Sequence, residues 1–205
     1  YLNKVREIAD KFKIILIFDE IITGFRMGPG GAQSYFNVKP DLSCFGKGIA
    51  NGFPVSALVG KEKYLRKASD LFYSLTFAGE TISLAAADTA LNLYKDKKLS
   101  QNLEKKGNFL KSKLLKTIDE QNFNGYFKVE GMPSRLIISF DKKIINRPNK
   151  DQINLELIKN LAEKKILYNG SVFICKTHTY ENLNYLNESF AISLNKIKKK
   201  FNLWI

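Results

Sequence analysis

The sequence predicts an α/β domain with a mostly parallel sheet, followed by a smaller α+β domain. Short apolar runs that end in polar residues, such as IILIFDE at 14–20, are typical of strands in a buried parallel sheet. An amphipathic helical pattern leads directly into this first run. Beyond Leu91 two strands follow each other between helices, which favours a separate α+β layer. We therefore place the domains at 1–91 and 92–205.

The first domain is predicted to open with a helix whose apolar residues recur every 3.6 positions, namely Leu2, Val5, Ile8, Ala9 and Phe12. The remaining elements are predicted as strands at 14–18, 41–45 and 55–59 and a helix of small residues at 79–94, with Thr81 or Ser83 near its start.

The second domain is predicted to contain helices at 99–118, 153–164 and 181–201 and strands at 126–130, 135–140 and 172–175. A Pro/Asn-rich break is expected at 146–151. His178 is expected at the start of the last helix, where Thr179 acts as its cap, and we assign it no chemistry.

Composition excludes several classes of protein. With 205 residues, of which 44% are hydrophobic, the chain is long enough for a real core. Cys44, Cys175 and a single histidine have no ligand neighbours in sequence, which argues against a disulfide scaffold or a zinc site. The apolar runs are too short to cross a bilayer. We expect no membrane partner and a cytoplasmic location. Because the sequence enters directly on a helix at Tyr1, we expect a C-terminal part of a longer protein.

The formal net charge of +13 raises the alternative of nucleic-acid binding. Only five of the 33 basic residues are arginine, whereas nucleic-acid surfaces favour arginine and clustered aromatic side chains. The densest basic run, Lys196–Lys200, falls at the end of a predicted helix, where cations favour the helix dipole. We interpret it as a solvated face and expect no nucleic-acid partner.

Two ionisable residues are predicted at the carboxyl ends of strands. Asp19 ends the first strand, and Lys47 follows the second, between Gly46 and Gly48. In open α/β sheets ligands bind outside these ends, so the two side chains could converge on one ligand. Pyridoxal phosphate (PLP) requires this combination: a lysine amine for its aldehyde and a carboxylate for its pyridine nitrogen.

Three segments carry a resemblance to a known family: LIFDEIITGFR (16–26), PDLSCFGKGIANGFPVSALVG (40–60) and YSLTFAGETISLAAA (73–87). They resemble the class III aminotransferases of PLP fold type I, and within them the glutamate-1-semialdehyde aminomutase branch and its aminotransferase relatives. The resemblance runs through nearly all of the chain. It implies that 1–91 is the C-terminal part of the PLP-binding large domain and that 92–205 is the small C-terminal domain.

The resemblance also implies roles for four residues. Lys47 matches the catalytic Schiff-base lysine, which also shuttles a proton. Asp19 matches the acid that pairs with the pyridine nitrogen, and Ile21 matches the apolar residue against one face of the ring. Thr76 matches the threonine that binds the cofactor phosphate of the neighbouring subunit, which implies a homodimer with the cofactor site completed across the interface. No residue is assigned to a metal.

The implied activity is PLP-dependent amino transfer between a small-molecule amino donor and a carbonyl acceptor. One alternative is glutamate-1-semialdehyde 2,1-aminomutase, in which intramolecular amino transfer gives 5-aminolevulinate. Aminomutases carry an acid-containing segment before the final helix, whereas no acid lies between Lys165 and Glu181 here, and this favours transfer. An alternative of another class is a non-catalytic dimeric scaffold.

Ordinary structural roles remain open for some of these residues. Asp19 could be a turn or cap residue, and Thr76 a helix cap. Glu20 could simply pair with Arg26 or with backbone. Glu80 departs from the family pattern, because Gly79-Glu80-Thr81 stands where Gly-Asn-Pro is common.

Overall fold

The computed structural model describes residues 1–72, 75–140 and 150–202. They belong to two compact units, Tyr1–Gln101 and Asn102–Ile205. Two features of the sequence fall outside the described residues. These are Tyr73-Ser74 of the third family-like segment and positions 146–149 of the expected Pro/Asn-rich break.

The first unit contains, in chain order, α1 (Leu2–Lys11), β1 (Ile17–Asp19), α2 (Gly31–Tyr35), β2 (Leu42–Phe45), a 3₁₀ turn (Lys47–Ile49), β3 (Ala57–Gly60), α3 (Glu62–Leu65), a second 3₁₀ turn (Arg66–Asp70) and α4 (Thr81–Tyr94). The sheet order is β1-β2-β3, with β1 parallel and β3 antiparallel to β2. An antiparallel neighbour needs no helical crossover, which is why a short irregular connection suffices between β2 and β3.

The apolar run at 14–18 is less buried than its sequence predicts. Ile14 and Ile17 are 56% and 54% exposed, so the expectation of a strand buried on both faces is wrong for the described residues. The strand itself is also shorter and later than expected, covering Ile17–Asp19. Within the described part of the chain β1 pairs with β2 alone, so it is an edge strand of this sheet.

Asp41 ties together three elements of the first unit. Its carboxylate, 3% exposed as a residue, accepts hydrogen bonds from Lys61 Nζ (2.6 Å), the Leu16 backbone N–H (2.8 Å) and Arg6 Nη1 (2.9 Å). These donors come from the residue after β3, the approach to β1 and helix α1. The hydrogen bond from Lys61, followed by those from Leu16 and Arg6, holds the pKa of Asp41 far below its usual range.

Replacing Asp41 with asparagine in the full-length protein is expected to lower the free energy of unfolding by about 2 kcal/mol at neutral pH. This is less than the ~3–5 kcal/mol for breaking a fully buried pair, because the Lys61 side chain is half exposed. Since folding depresses the Asp41 pKa, its contribution is present above the unfolded pKa of about 4 and is lost as the pH falls toward the folded value. Urea unfolding at several pH values measures this.

The exposed Asp88 on α4 supplies the matched control for this prediction. Asp88→Asn should change stability by less than about 0.5 kcal/mol at every pH. A deficit in Asp41→Asn that stays constant from neutral pH down to about pH 3 would contradict the assignment, because it would not follow the carboxylate's charge.

The second unit is an α+β layer. It holds most of helix α5 (Lys97–Glu120), then β4 (Phe127–Met132), β5 (Arg135–Phe140), α6 (Lys150–Glu163), β6 (Ser171–Phe173) and α7 (Tyr180–Lys200). The three strands form an antiparallel sheet in the order β4-β5-β6. Its core is fully buried and includes Leu110, Leu114, Leu136, Leu157, Phe190 and Leu194. Gly107 allows the β4–β5 turn to approach α5, because a Cβ there would lie 1.8 Å from the Pro133 carbonyl oxygen.

The two units divide after Gln101, inside α5, whereas the sequence places the change of domain near Leu91. The last turn of α4 is held in the first unit because Tyr94 Oη donates a hydrogen bond to the Gly48 carbonyl oxygen, at 3.0 Å. The functional division into a cofactor domain at 1–91 and a small domain at 92–205 stays a prediction.

Lysines of the basic run at the end of α7 form ion pairs within the second unit. Lys196 Nζ lies 2.8 Å from Glu163, and Lys200 Nζ lies 2.5 Å from Glu156, both on α6. These ion pairs support the interpretation of the basic run as one face of a helix.

The start of α7 is as expected, with Thr179 as N-cap in a reciprocal pair of hydrogen bonds with Asn182. In the described ranges, none of the helices combines the length and apolar character needed to span a bilayer.

Candidate active site

The carboxyl ends of β1 and β2 meet at one edge of the first sheet. The strands are parallel, with Asp19 opposite Cys44, and the Glu20 N–H extends their ladder by donating to the Cys44 carbonyl (2.9 Å). Asp19 is the last residue of β1, and Lys47 comes two residues after the last residue of β2. The structure therefore brings Asp19 and Lys47 to the same sheet edge, as the sequence predicts.

Asp19 is exposed, and its carboxylate is partly engaged. Oδ1 accepts a hydrogen bond from the Ile21 backbone N–H at 3.0 Å, an Asx-type turn. The alternative role as a turn residue is thus correct for one oxygen. Among the described residues no donor reaches Oδ2, so the second oxygen is available to a cation or donor from outside the unit.

Glu20, by contrast, is buried and structural. It is 1% exposed and accepts hydrogen bonds from the backbone N–H groups of Ala32 (3.0 Å) and Gln33 (2.8 Å) and from the Thr23 hydroxyl. Gly31, at φ +67°, is required here because a Cβ would lie 2.8 Å from the Glu20 carboxylate. Glu20 therefore fixes the loop that follows Asp19, and Ile21 lies in the turn at the start of this loop.

Lys47 has an unusual backbone conformation. Its φ is +45°, a left-handed value that costs a non-glycine residue about 1–2 kcal/mol. It opens the 3₁₀ turn at Lys47–Ile49, and its side chain is exposed. This strained residue lies between Gly46 and Gly48, shortly after β2, and Lys13 and Lys165 share the left-handed conformation.

Ile21 packs at the exit of β2. A Cβ at Gly46 would lie 3.4 Å from Ile21 Cγ2, so the Ile21 side chain lies beside the residue that precedes Lys47. Within the first unit, Asp19, Ile21 and the turn that begins at Lys47 thus lie at the same sheet edge, where they offer a carboxylate, an apolar side chain and an amine. These residues fit a pyridoxal ring.

Thr76 lies in an exposed turn before α4, closed by a hydrogen bond from the Ala78 N–H to the Leu75 carbonyl (3.1 Å). It does not cap α4. The N-cap is Glu80, whose carboxylate accepts hydrogen bonds from the backbone N–H groups of Ile82 (2.6 Å) and Ser83 (2.8 Å). The hydrogen bonds from Ser83 also lower the pKa of Glu80. Helix α4 begins at Thr81, so Thr81 and Ser83 lie near its start as expected, and the departure at Glu80 has a structural reason as the N-cap.

Sequence reasoning missed the residues that hold the turn after β2. Phe25, from the first family-like segment, stacks on Tyr94 at the end of α4, with ring centroids 4.7 Å apart. Ile49 and Ala50 pack with Ala87 in a small core beneath this turn. The sequence contains both aromatic residues, but no short-range pattern predicts that residues so far apart in the chain are in contact.

Other candidate sites are a groove in the second unit and groups of metal-binding side chains. The groove of about 760 Å³ in the second unit is lined by residues of 164–186 and contains none of the site residues above. Within the described ranges, no three His, Cys, Asp or Glu side chains are grouped so that they could hold a metal ion.

Comparison with known proteins assigns the chain to a family. The model of "Aminotransferase class-III" matches residues 1–201. The chain belongs to the class III aminotransferase family. The resemblance seen in the sequence is thereby confirmed.

Two curated class III aminotransferase relatives illustrate the relationship. The 3-aminobutyryl-CoA aminotransferase of Cloacimonas acidaminovorans is 35% identical over 97% of this chain and 48% of its own length. The glutamate-1-semialdehyde 2,1-aminomutase of Methanobrevibacter smithii is 33% identical over 98% and 49%, respectively. The chain thus spans about half the length of the curated relatives it matches.

The fold of this class III aminotransferase chain is also that of a solved structure. The PLP internal aldimine form of the FumI protein from Sphingopyxis sp. MTA144 matches with a TM-score of 0.85 and 22% identity, over 98% of this chain and 48% of that one. The predicted α/β fold class, PLP fold type I, is confirmed by this match.

Proposed function

We propose that the full-length protein is a PLP-dependent aminotransferase that moves an amino group from a small-molecule donor to a carbonyl acceptor. The observation that carries the proposal is the placement of Asp19 and Lys47 at one sheet edge, with Lys47 in a left-handed conformation. Membership of the class III family and the names of its relatives support the reaction class.

Lys47 supplies the amine of the proposed site. Bound PLP contributes an aldehyde that condenses with amines and a ring that accepts an electron pair from the substrate carbon. Lys47 Nζ holds the cofactor until a substrate amine takes its place, and it then moves a proton between the substrate Cα and the cofactor C4′.

Asp19 and Ile21 tune and orient the ring. The free Oδ2 of Asp19 accepts the hydrogen bond of a protonated pyridine nitrogen, and its negative charge favours that protonated form. Ile21, which lies beside Gly46, covers one ring face. A fixed carboxylate of this kind stabilises the charge that develops on the ring during proton transfer.

Thr76 connects the site to a second subunit. We infer that its hydroxyl and N–H bind the cofactor phosphate of a partner chain, in a homodimer with the site completed across the interface. The segment around it favours an interface, because Leu71, Phe72, Leu75 and Phe77 expose 59–97% of their surface. A cytoplasmic location stays a prediction.

The second candidate is glutamate-1-semialdehyde 2,1-aminomutase activity, which several relatives carry in their names. The absence of an acid between Lys165 and Glu181 favours transfer to a separate acceptor. Incubation with glutamate 1-semialdehyde alone distinguishes the two, because an aminomutase forms 5-aminolevulinate with no second substrate.

The test of the proposal is reductive trapping. The full-length protein is incubated with PLP, reduced with borohydride and digested for peptide mapping. We expect a pyridoxyl adduct on Lys47 in the wild type and none at position 47 in the Lys47→Ala variant. A folded, PLP-saturated wild-type protein without the adduct would refute the enzyme proposal and leave the non-catalytic scaffold.

A further inference from the structure

Tyr94 reaches from the end of α4 to the turn that carries Lys47. Its hydroxyl donates a hydrogen bond to the Gly48 carbonyl oxygen at 3.0 Å, although the two residues are 46 positions apart. The acceptor is the carbonyl of the residue that follows Lys47, in the Gly48–Ile49 peptide group. A change at the Tyr94 hydroxyl therefore acts on the backbone one residue away from the proposed cofactor-binding amine.

Aromatic packing fixes the Tyr94 ring over this turn. Phe25 stacks on it with an interplanar angle of 13° and also contacts Phe45, the last residue of β2, at a centroid distance of 5.6 Å. A Cβ at Gly48 would lie 3.5 Å from Phe25 and 3.6 Å from Tyr94 Oη. The two rings thus lie against Gly48 and limit its movement away from the sheet edge.

The turn needs such support because its conformation is costly. Lys47 adopts φ +45°, and Asn51, which donates its N–H to the Lys47 carbonyl at 2.9 Å, adopts φ +50°. Left-handed residues persist where the surroundings hold them in place. Small side chains at Ala86 and Ala87 let α4 pack close to Ile49, and Tyr94 adds the hydrogen bond from the same helix.

The hydroxyl has the protonation state that this hydrogen bond requires. Burial raises the pKa of Tyr94, and the positive charge of Arg26 offsets part of this rise. The phenol therefore remains a neutral donor over the ordinary working range of an enzyme.

We propose that Tyr94 is a positioning residue for Lys47. Through the Gly48 carbonyl it holds the strained turn in the conformation that directs the lysine amine to the cofactor. The inference rests on the proposed function for its catalytic meaning, whereas the contact with the turn is independent of it. Tyr94 touches neither substrate nor cofactor in this role.

The test compares Tyr94→Phe with Tyr185→Phe in the full-length protein. Both changes remove one phenolic hydroxyl that donates to a backbone carbonyl, since Tyr185 Oη binds the Lys164 carbonyl at 3.2 Å in the second unit. For Tyr94→Phe we expect kcat to fall about 10-fold with the KM of the amino donor within about twofold, because misplacing a reacting group acts on the chemical step. Tyr185→Phe should behave as the wild type.

Two readouts separate positioning from a general loss of stability. In the cofactor-free protein, amide hydrogen exchange at 48–51 should become about 10-fold faster in Tyr94→Phe and remain unchanged elsewhere in the sheet. In the PLP-loaded protein, the pH midpoint of the cofactor absorbance should shift by about 0.5 unit or more, because the geometry at Lys47 sets the basicity of its linkage.

Failure of the Tyr94 proposal can be distinguished from failure of the proposed function. Wild-type exchange at 48–51 together with a wild-type kcat and absorbance midpoint in Tyr94→Phe would overturn the inference, even if the variant melts at a lower temperature. If the wild-type protein itself forms no adduct at Lys47, the proposed function fails, and the exchange rates alone then decide whether Tyr94 holds the turn.

Discussion

Replacing Lys47 with alanine in the full-length protein is expected to reduce turnover by at least about 10⁴-fold. Proton transfer by a positioned group contributes roughly 10²–10⁴-fold, and the variant also loses the amine that we propose holds the cofactor. The fold should survive, because Lys47 is exposed and its side chain fills no core position. Steady-state turnover at saturating PLP, with an amino donor identified by screening, measures the loss.

Two controls accompany the Lys47 prediction. Lys47→Gly should be equally inactive yet more stable than Lys47→Ala by about 1 kcal/mol, because glycine adopts the left-handed conformation at φ +45° without strain.

Mixed dimers of Lys47→Ala and Thr76→Ala chains should regain activity, since one of their two sites then has both residues intact. A mixture that stays inactive would show that Thr76 does not serve the partner's site.

Replacing Asp19 with asparagine is expected to slow turnover by about 10²–10³-fold, the usual cost of removing one preorganised electrostatic group. The asparagine oxygen can still accept the hydrogen bond from the Ile21 N–H, so the turn after β1 is retained. The negative charge that we propose to lie next to the pyridine nitrogen is lost. Binding of PLP should persist, because the lysine linkage and the phosphate contacts remain. Single-turnover kinetics at saturating PLP report the effect.

The Asp19→Ala and Asp19→Glu variants separate charge from turn geometry. If the charge is decisive, Asp19→Ala should be no more than a few-fold slower than Asp19→Asn, and Asp19→Glu should recover part of the rate. Normal turnover in Asp19→Asn would refute the assignment of Asp19 to the ring nitrogen. It would leave the residue with its turn role alone.

Site residues whose position follows from the local sequence pattern could be predicted. Asp19 and Lys47 each follow a short apolar run, and the pattern places both at strand ends whatever the rest of the fold. The cap at Thr179 was equally local, with its partner Asn182 three residues on. Burial of the run at 14–18 was not predictable in this way, because it depends on which elements lie beside β1.

Other features depend on residues that are distant in sequence. The hydrogen bond from Tyr94 to Gly48 and the stacking of Phe25 on Tyr94 join segments more than 40 positions apart. Glu80 was not anticipated as the cap of α4, for a different reason. Glu80 is an uncommon N-cap type, and the preferred Ser or Thr stood within three residues of it.

Periodicity, strand-end chemistry and the three family-like segments established the fold class, the candidate lysine and its acid partner from the chain alone. These are properties of contiguous residues, and short-range sterics and hydrophobic patterning govern them. Tertiary structure alone determined the left-handed backbone of Lys47, the buried carboxylates of Glu20 and Asp41 and the support from Tyr94. Their energies depend on burial and on partners that folding brings together, and the order of residues along the chain does not encode those distances locally.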